Sequence, residues 1–122
     1  MKNVFGKTKE NHLLDDENCA IYLGAIVKYY RNCRNVSQQA VSSAISMNPS
    51  YYSQFENGRA NITIYKLVSI CHYLSVSPET IMHELYHFDE NDIRFRHIHK
   101  RKLRVEETKR KENEKELLKT SL

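Results

Sequence analysis

The sequence predicts an all-α protein, a compact bundle of five short helices with a polar arm before it and a basic, charged tail after it. Two observations carry this. Only three Gly and two Pro punctuate 122 residues, too few for the many turns of a sheet protein. Between Asp15 and Phe88 apolar residues recur at spacings of three and four, separated by capping residues, with no strand pattern and no internal repeat. The length suits one domain plus tails, because a second independent domain would leave neither half enough buried surface. The expected division is an arm over 1–14, the bundle over 15–88 and a tail over 89–122.

Residues 1–14 are polar and aperiodic, as a flexible arm would be. Asp15 or Asp16 can cap a helix through "CAIYLGAIVKYYRNCR", where Leu23, Val27 and Tyr30 share a face and Asn35 is the stop. Ser37 opens a second helix, "SQQAVSSAI", with Val41 and Ile45 inward and an end near Ser46 to Met47. Asn48 followed by Pro49 restarts the helix, since Asn caps well and Pro at the first helical position gives up an N–H that lacks a partner anyway. The third helix, "PSYYSQFEN", stops at Gly58, which tolerates left-handed backbone. Thr63 caps a fourth helix that buries Leu67, Ile70, Cys71 and Leu74. "SVSP" breaks the chain again, with Ser77 capping and Pro78 opening a fifth helix whose apolar positions are Ile81, Met82 and Leu85.

Composition excludes several classes. Cys19, Cys33 and Cys71 are odd in number and widely spaced, so neither a disulfide framework nor a cysteine zinc site is indicated, and a reducing cytoplasm fits. The N-terminal segment lacks the continuous apolar core of a signal peptide, and no run approaches the roughly 20 apolar residues of a membrane span. A soluble, cytoplasmic protein with no membrane partner is expected. The net charge of +4 is unevenly spread: from Arg94 to Lys119 eleven Lys/Arg face five Glu, and the rest of the chain is slightly acidic. Glu106/Arg110 and Glu107/Lys111 are spaced to pair on a helix, so the tail is partly helical or docks on something else.

The stretch "HELYH", His83 to His87, has the spelling of a zinc-peptidase helix, with two imidazoles one turn apart and a glutamate that could deprotonate a metal-bound water. Such an enzyme also needs a third ligand and a cleft. His97, His99, Glu106 and Glu107 are available, but nothing fixes any of them. Ile81 and Leu85 must face inward to close the bundle, which turns the two His outward. No catalytic residue, no metal site and no cofactor are expected.

The informative region is a helix, a short turn and a second helix, the arrangement in which one helix enters a DNA major groove while the other crosses the backbone. From Ser37 to Phe55 there is no charged side chain, and the outward positions are hydrogen-bonding groups suited to base edges. Here the sequence resembles the Cro/cI (Xre-type) helix-turn-helix regulators of bacteria and their phages. The resemblance covers Leu23 to Met82, runs without a gap through "SQQAVSSAISMNPSYYSQFENG", and keeps "LGAIVKYYR" and "LSVSPETIM" in register. It implies a lambda-repressor-like five-helix fold and a sequence-specific regulator of transcription, a repressor, acting on double-stranded DNA.

By position, the recognition helix is Pro49 to Glu56, with Pro49, Ser50, Tyr51 and Gln54 toward the bases. Gln38, Asn48, Asn57 and Arg59 fall at phosphate contacts, and Arg31 and Glu56 where relatives place a buried ion pair. Two departures stand out: Ser46 replaces the usual turn Gly, and Pro49 offers only apolar contact at a common base-reading position. Tyr30, Tyr52 and Tyr73 are candidate core residues, while Tyr51 is the tyrosine that meets DNA. The basic stretch Arg94, Arg96, Lys100, Arg101, Lys102 and Arg104 is either a phosphate-binding arm or a solvated tail. A homodimer is expected, through Met82, Leu85, Tyr86 and Phe88 with Ile93, Phe95 and Ile98. The rival reading is a protein-interaction or DNA-transfer accessory module on the same fold. No effector pocket is evident.

Overall fold

The computed structural model describes residues 15–121, with side chains at all of these except 99–105 and 121. The arm expected over 1–14 lies outside the described residues. The chain divides after Phe88 into two compact units, and no strand occurs among the described residues.

Among its described residues the first unit holds five helices: α1 (Asp16–Cys33), α2 (Gln38–Ala44), α3 (Pro49–Glu56), α4 (Ile64–Leu74) and α5 (Pro78–Tyr86). Each begins where a side-chain oxygen meets an unpaired N–H of the first turn. Asp15 accepts from Asn18, Ser37 from Ala40, Asn48 from Tyr51, Thr63 from Lys66 and Ser77 from Glu79, over 2.7–3.2 Å. Pro opens α3 and α5 at a position that has no N–H to lose.

The ends are equally local. Asn35, Ser46, Gly58 and Ser75 all take positive φ, 54–74°, closing α1 to α4 in turn. After α2 the N–H of Met47 returns to the carbonyl of Ser42 at 2.8 Å, and after α3 that of Arg59 returns to Gln54 at 2.9 Å. Ser46 therefore adopts the left-handed backbone that Gly would take without strain. The Lys66 ammonium donates to the Ile45 carbonyl at 2.7 Å beside it. Arg34 does the same for α4, donating to Leu74 at 2.7 Å and Ser75 at 3.0 Å.

The core gathers Ile26, Val27, Val41, Tyr52, Phe55, Ile70, Cys71, Leu74 and Ile81, all nearly solvent-free. Burial holds the Cys71 thiol above its usual range, so this cysteine is inert packing. Tyr22 and Phe88 stack face to face, with centroids 4.0 Å apart, and join the start of α1 to the residue that follows α5. Gly24 sets the crossing of α1 and α3: a Cβ there would fall 2.4 Å from the Phe55 carbonyl oxygen.

Three expectations need correction. The buried stripe of α1 runs through Ile21, Tyr22, Ala25, Ile26 and Val27, leaving Leu23 and Tyr30 at its margins, because apolar residues occupy several sides of this helix and packing decides among them. Tyr73 is 42% exposed, not core, since Leu67, Ile70, Cys71 and Leu74 already fill the inward face of α4. Met82 is 50% exposed on α5.

The second unit is a 3-10 turn, Ile93–Phe95, followed by α6 (Arg96–Ser121). Asp92 caps the turn at Arg94 N–H and pairs with the Arg94 guanidinium at 2.9 Å, which holds its carboxyl below the usual range. Along α6 Lys111 meets Glu107 at 3.5 Å and Arg110 meets Glu114 at 2.8 Å. Arg110 has an acid one turn away on either side, and it is the C-terminal one it reaches here. Exposed pairs of this kind contribute a few tenths of a kcal/mol each.

Candidate nucleic-acid interface

α2 and α3 are joined by four residues, Ile45 to Asn48, and form a two-helix hairpin. The sequence of α3 separates two faces. Tyr52, Phe55 and Glu56 point into the bundle, while Pro49, Ser50 and Gln54 are exposed and Tyr51 is 44% exposed. The outward face is uncharged and rich in hydrogen-bonding groups.

Its inward face is fixed by a polar network. Glu56 accepts from Arg31 Nε at 2.7 Å and from the Tyr52 hydroxyl at 2.6 Å on one oxygen. On the other it accepts from the second Arg31 amino group at 3.1 Å and from Gln38 Nε2 at 3.0 Å. Arg31 also donates to the Val36 carbonyl at 2.8 Å. Arg31 and Glu56 are buried, at 8% and 3% exposure. Burial would lower the Arg31 pKa, but its bond to Glu56 and that carboxylate's charge more than offset this, and the net shift is upward. Burial and then the Glu56 carboxylate push the Tyr52 hydroxyl far above its ordinary value. Every buried side-chain polar atom among the described residues has a partner, so α3 is held rigidly at its C-terminal end.

At the other end Asn48 spends its carbonyl oxygen on the helix cap. Tyr51 donates its hydroxyl to the Asn61 carbonyl at 2.6 Å, tying α3 to the loop before α4. That contact lines a groove of about 530 Å³ with Met47, Asn48, Ile62 and Lys66.

The structure thus brings Pro49, Ser50, Tyr51 and Gln54 to one exposed face, with Asn48 beside it and Asn57 and Arg59 at the far end of α3. Gln38 sits apart from them in role, because its amide reaches back to Glu56. Sequence reasoning missed Gly24, the Tyr51–Asn61 tether and the role of Lys66. Only the Gly24 residue type, a glycine inside a helical pattern, signalled a close approach. Arg94 and Arg96 belong to the second unit. The side chains of Lys100, Arg101, Lys102 and Arg104 lie outside the described residues.

In "HELYH" both His are exposed, whereas Glu84 accepts a hydrogen bond from the Tyr30 hydroxyl of α1. Among the described residues no three His, Cys, Asp or Glu side chains are placed to hold a metal ion. No described helix is long and apolar enough to cross a membrane.

A family model described as helix-turn-helix matches residues 27–81. A crystal structure of the clp gene regulator ClgR from Corynebacterium glutamicum is similar at 28% identity and TM-score 0.53, over 55% of this chain and 71% of that one. A second crystal structure of ClgR from C. glutamicum matches at 27% identity and TM-score 0.54, over 63% of this chain and 94% of that one. No curated protein matches the chain. Residues 27–81 are thus similar to helix-turn-helix domains of the Cro/cI type.

Proposed function

We propose that this protein is a cytoplasmic, sequence-specific duplex-DNA-binding regulator of transcription, a repressor, that inserts α3 into the major groove. The observation that carries this is the division of α3: one face is locked into the bundle through Tyr52, Phe55 and Glu56, while the opposite face presents uncharged Ser50, Tyr51 and Gln54. Helix-turn-helix proteins read base edges in this way, and Gln can bind adenine through two hydrogen bonds. Likeness to a gene regulator supports the same reading.

In this assignment Pro49, Ser50, Tyr51 and Gln54 face bases. Asn48, Asn57 and Arg59 approach phosphates, joined by the second amide N–H of Gln38 while its first holds Glu56, and Arg94, Arg96, Lys100, Arg101, Lys102 and Arg104 form an arm that adds affinity without sequence information. Arg31 and Glu56 position α3 from behind. The protein acts as a homodimer, presenting two copies of α3 about 34 Å apart, and performs no catalysis. Footprinting on genomic fragments tests the proposal: a protected site with two related half-sites overlapping a promoter is expected. Binding to duplex DNA that is weak, insensitive to salt and indifferent to sequence would instead favour a protein-interaction module.

A further inference from the structure

The "HELYH" segment has a property that DNA binding leaves unused. His83 stands on α5 and His87 caps its end, so the two lie one turn apart on one face. Both are exposed, and their rings lean together with centroids 4.5 Å apart. The Tyr86 ring packs edge-on against His87 at 5.0 Å and restricts its orientation. Glu84 is turned away toward Tyr30 of α1. Glu79, one turn before His83, accepts from the Ser77 hydroxyl at 2.5 Å. The two imidazoles lie side by side, and Glu84 and Glu79 each accept a hydrogen bond from another residue.

Paired imidazole nitrogens suit borderline divalent ions such as zinc, nickel and copper. Zinc in a structural site takes four ligands in a tetrahedron, and one chain supplies two. A two-fold axis beside this face would bring the same pair from a second copy, because a surface patch on such an axis meets itself. Met82 and Tyr86, 50% and 40% exposed on the same helix, give that contact apolar area around the ion. We propose that His83 and His87 form half of a structural site for a divalent transition metal of the zinc class, completed by the same two histidines of a second copy. The site is non-catalytic, because the glutamate that a peptidase aims at the metal-bound water is engaged by α1. It does not rest on the DNA-binding reading.

The test uses the full chain, stripped with a chelator and free of DNA. Zinc is titrated while molar mass is followed by light scattering and bound metal by competition with a chromophoric chelator. Mass should double as half an equivalent of zinc binds per chain, and cobalt in its place should give the visible bands of tetrahedral coordination. If the stripped protein is already dimeric, half an equivalent of tetrahedral cobalt remains the expected result. His83→Ala and His87→Ala, with circular dichroism confirming unchanged helicity, should each abolish metal uptake, whereas His72→Ala on α4 should retain it. No uptake, one ion per chain on a monomer, or uptake that survives His83→Ala would overturn the proposal.

Discussion

Glu56 shows how much one carboxylate can organise. It receives hydrogen bonds from Arg31 in α1, Gln38 in α2 and Tyr52 in its own helix, and it is buried. Glu56→Ala should cost about 3–5 kcal/mol in chemical denaturation, because the Arg31 charge would be left buried without its partner. Gln54→Ala, on the exposed face, should leave stability within about 0.5 kcal/mol but weaken specific DNA binding by about 1–3 kcal/mol and relax preference at one base pair. An unchanged ratio of specific to random binding would remove Gln54 from the base contacts. Tyr52 gives a pH dependence. Its folded pKa lies above the ordinary 10.0, so above that pH the unfolded chain holds fewer protons than the folded one and stability falls as pH rises. Tyr52→Phe should flatten that part of the alkaline decline. The Arg31–Glu56 pairing was legible from positional resemblance. That Gln38 and Tyr52 join it was not, since spacing along a chain does not say which polar side chain reaches inward across another helix. Tyr51 is a similar case, its hydroxyl returning to Asn61 across a loop.

Helix boundaries were the most legible elements because they depend on local chemistry. Ser37, Asn48, Thr63 and Ser77 stand where a side-chain oxygen must meet the first turn, and Gly58 where the backbone turns left-handed. Helix facing was less legible. Ile, Leu, Val and Tyr surround much of α1, and the buried stripe follows from the approach that Gly24 permits, a long-range property. Gly24→Ala should therefore destabilise by about 1–3 kcal/mol, as overpacking does, with the cost read from the denaturation midpoint. Ser46→Gly should act in the opposite sense, raising stability by up to about 1 kcal/mol by relieving left-handed strain at a residue with a Cβ.

For the whole molecule the open variable is association. Leu85 and Phe88 are buried within the first unit, and Phe95 and Ile98 are also buried, so these four are not free to meet a partner as the sequence alone suggested. Met82, Tyr86 and Ile93 remain exposed. Exchanging Met82 and Tyr86 together for Ser should shift the proposed dimer toward monomer in light scattering and shorten the DNA footprint, with little change in helicity. A pair of substitutions that leaves mass and footprint intact would move the contact away from α5. Removing residues from Asp89 onward separates α5 from the tail in the same measurement. A full-length protein that stays monomeric on a single half-site would end the dimer proposal. Neither the tail's charge asymmetry nor the exposed apolar side chains could be turned into a partner surface from sequence, because burial within one chain and burial between two chains use the same residue types.

The separation of the two faces of α3 also bears on how such a protein changes over generations. Glu56, Tyr52 and Phe55 hold the helix from one side, and none of Pro49, Ser50 or Gln54 enters that core. If these exposed positions read bases as proposed, the preferred operator can drift through substitutions there while the bundle keeps its stability, so one scaffold can be retargeted to new promoters without first being repaired.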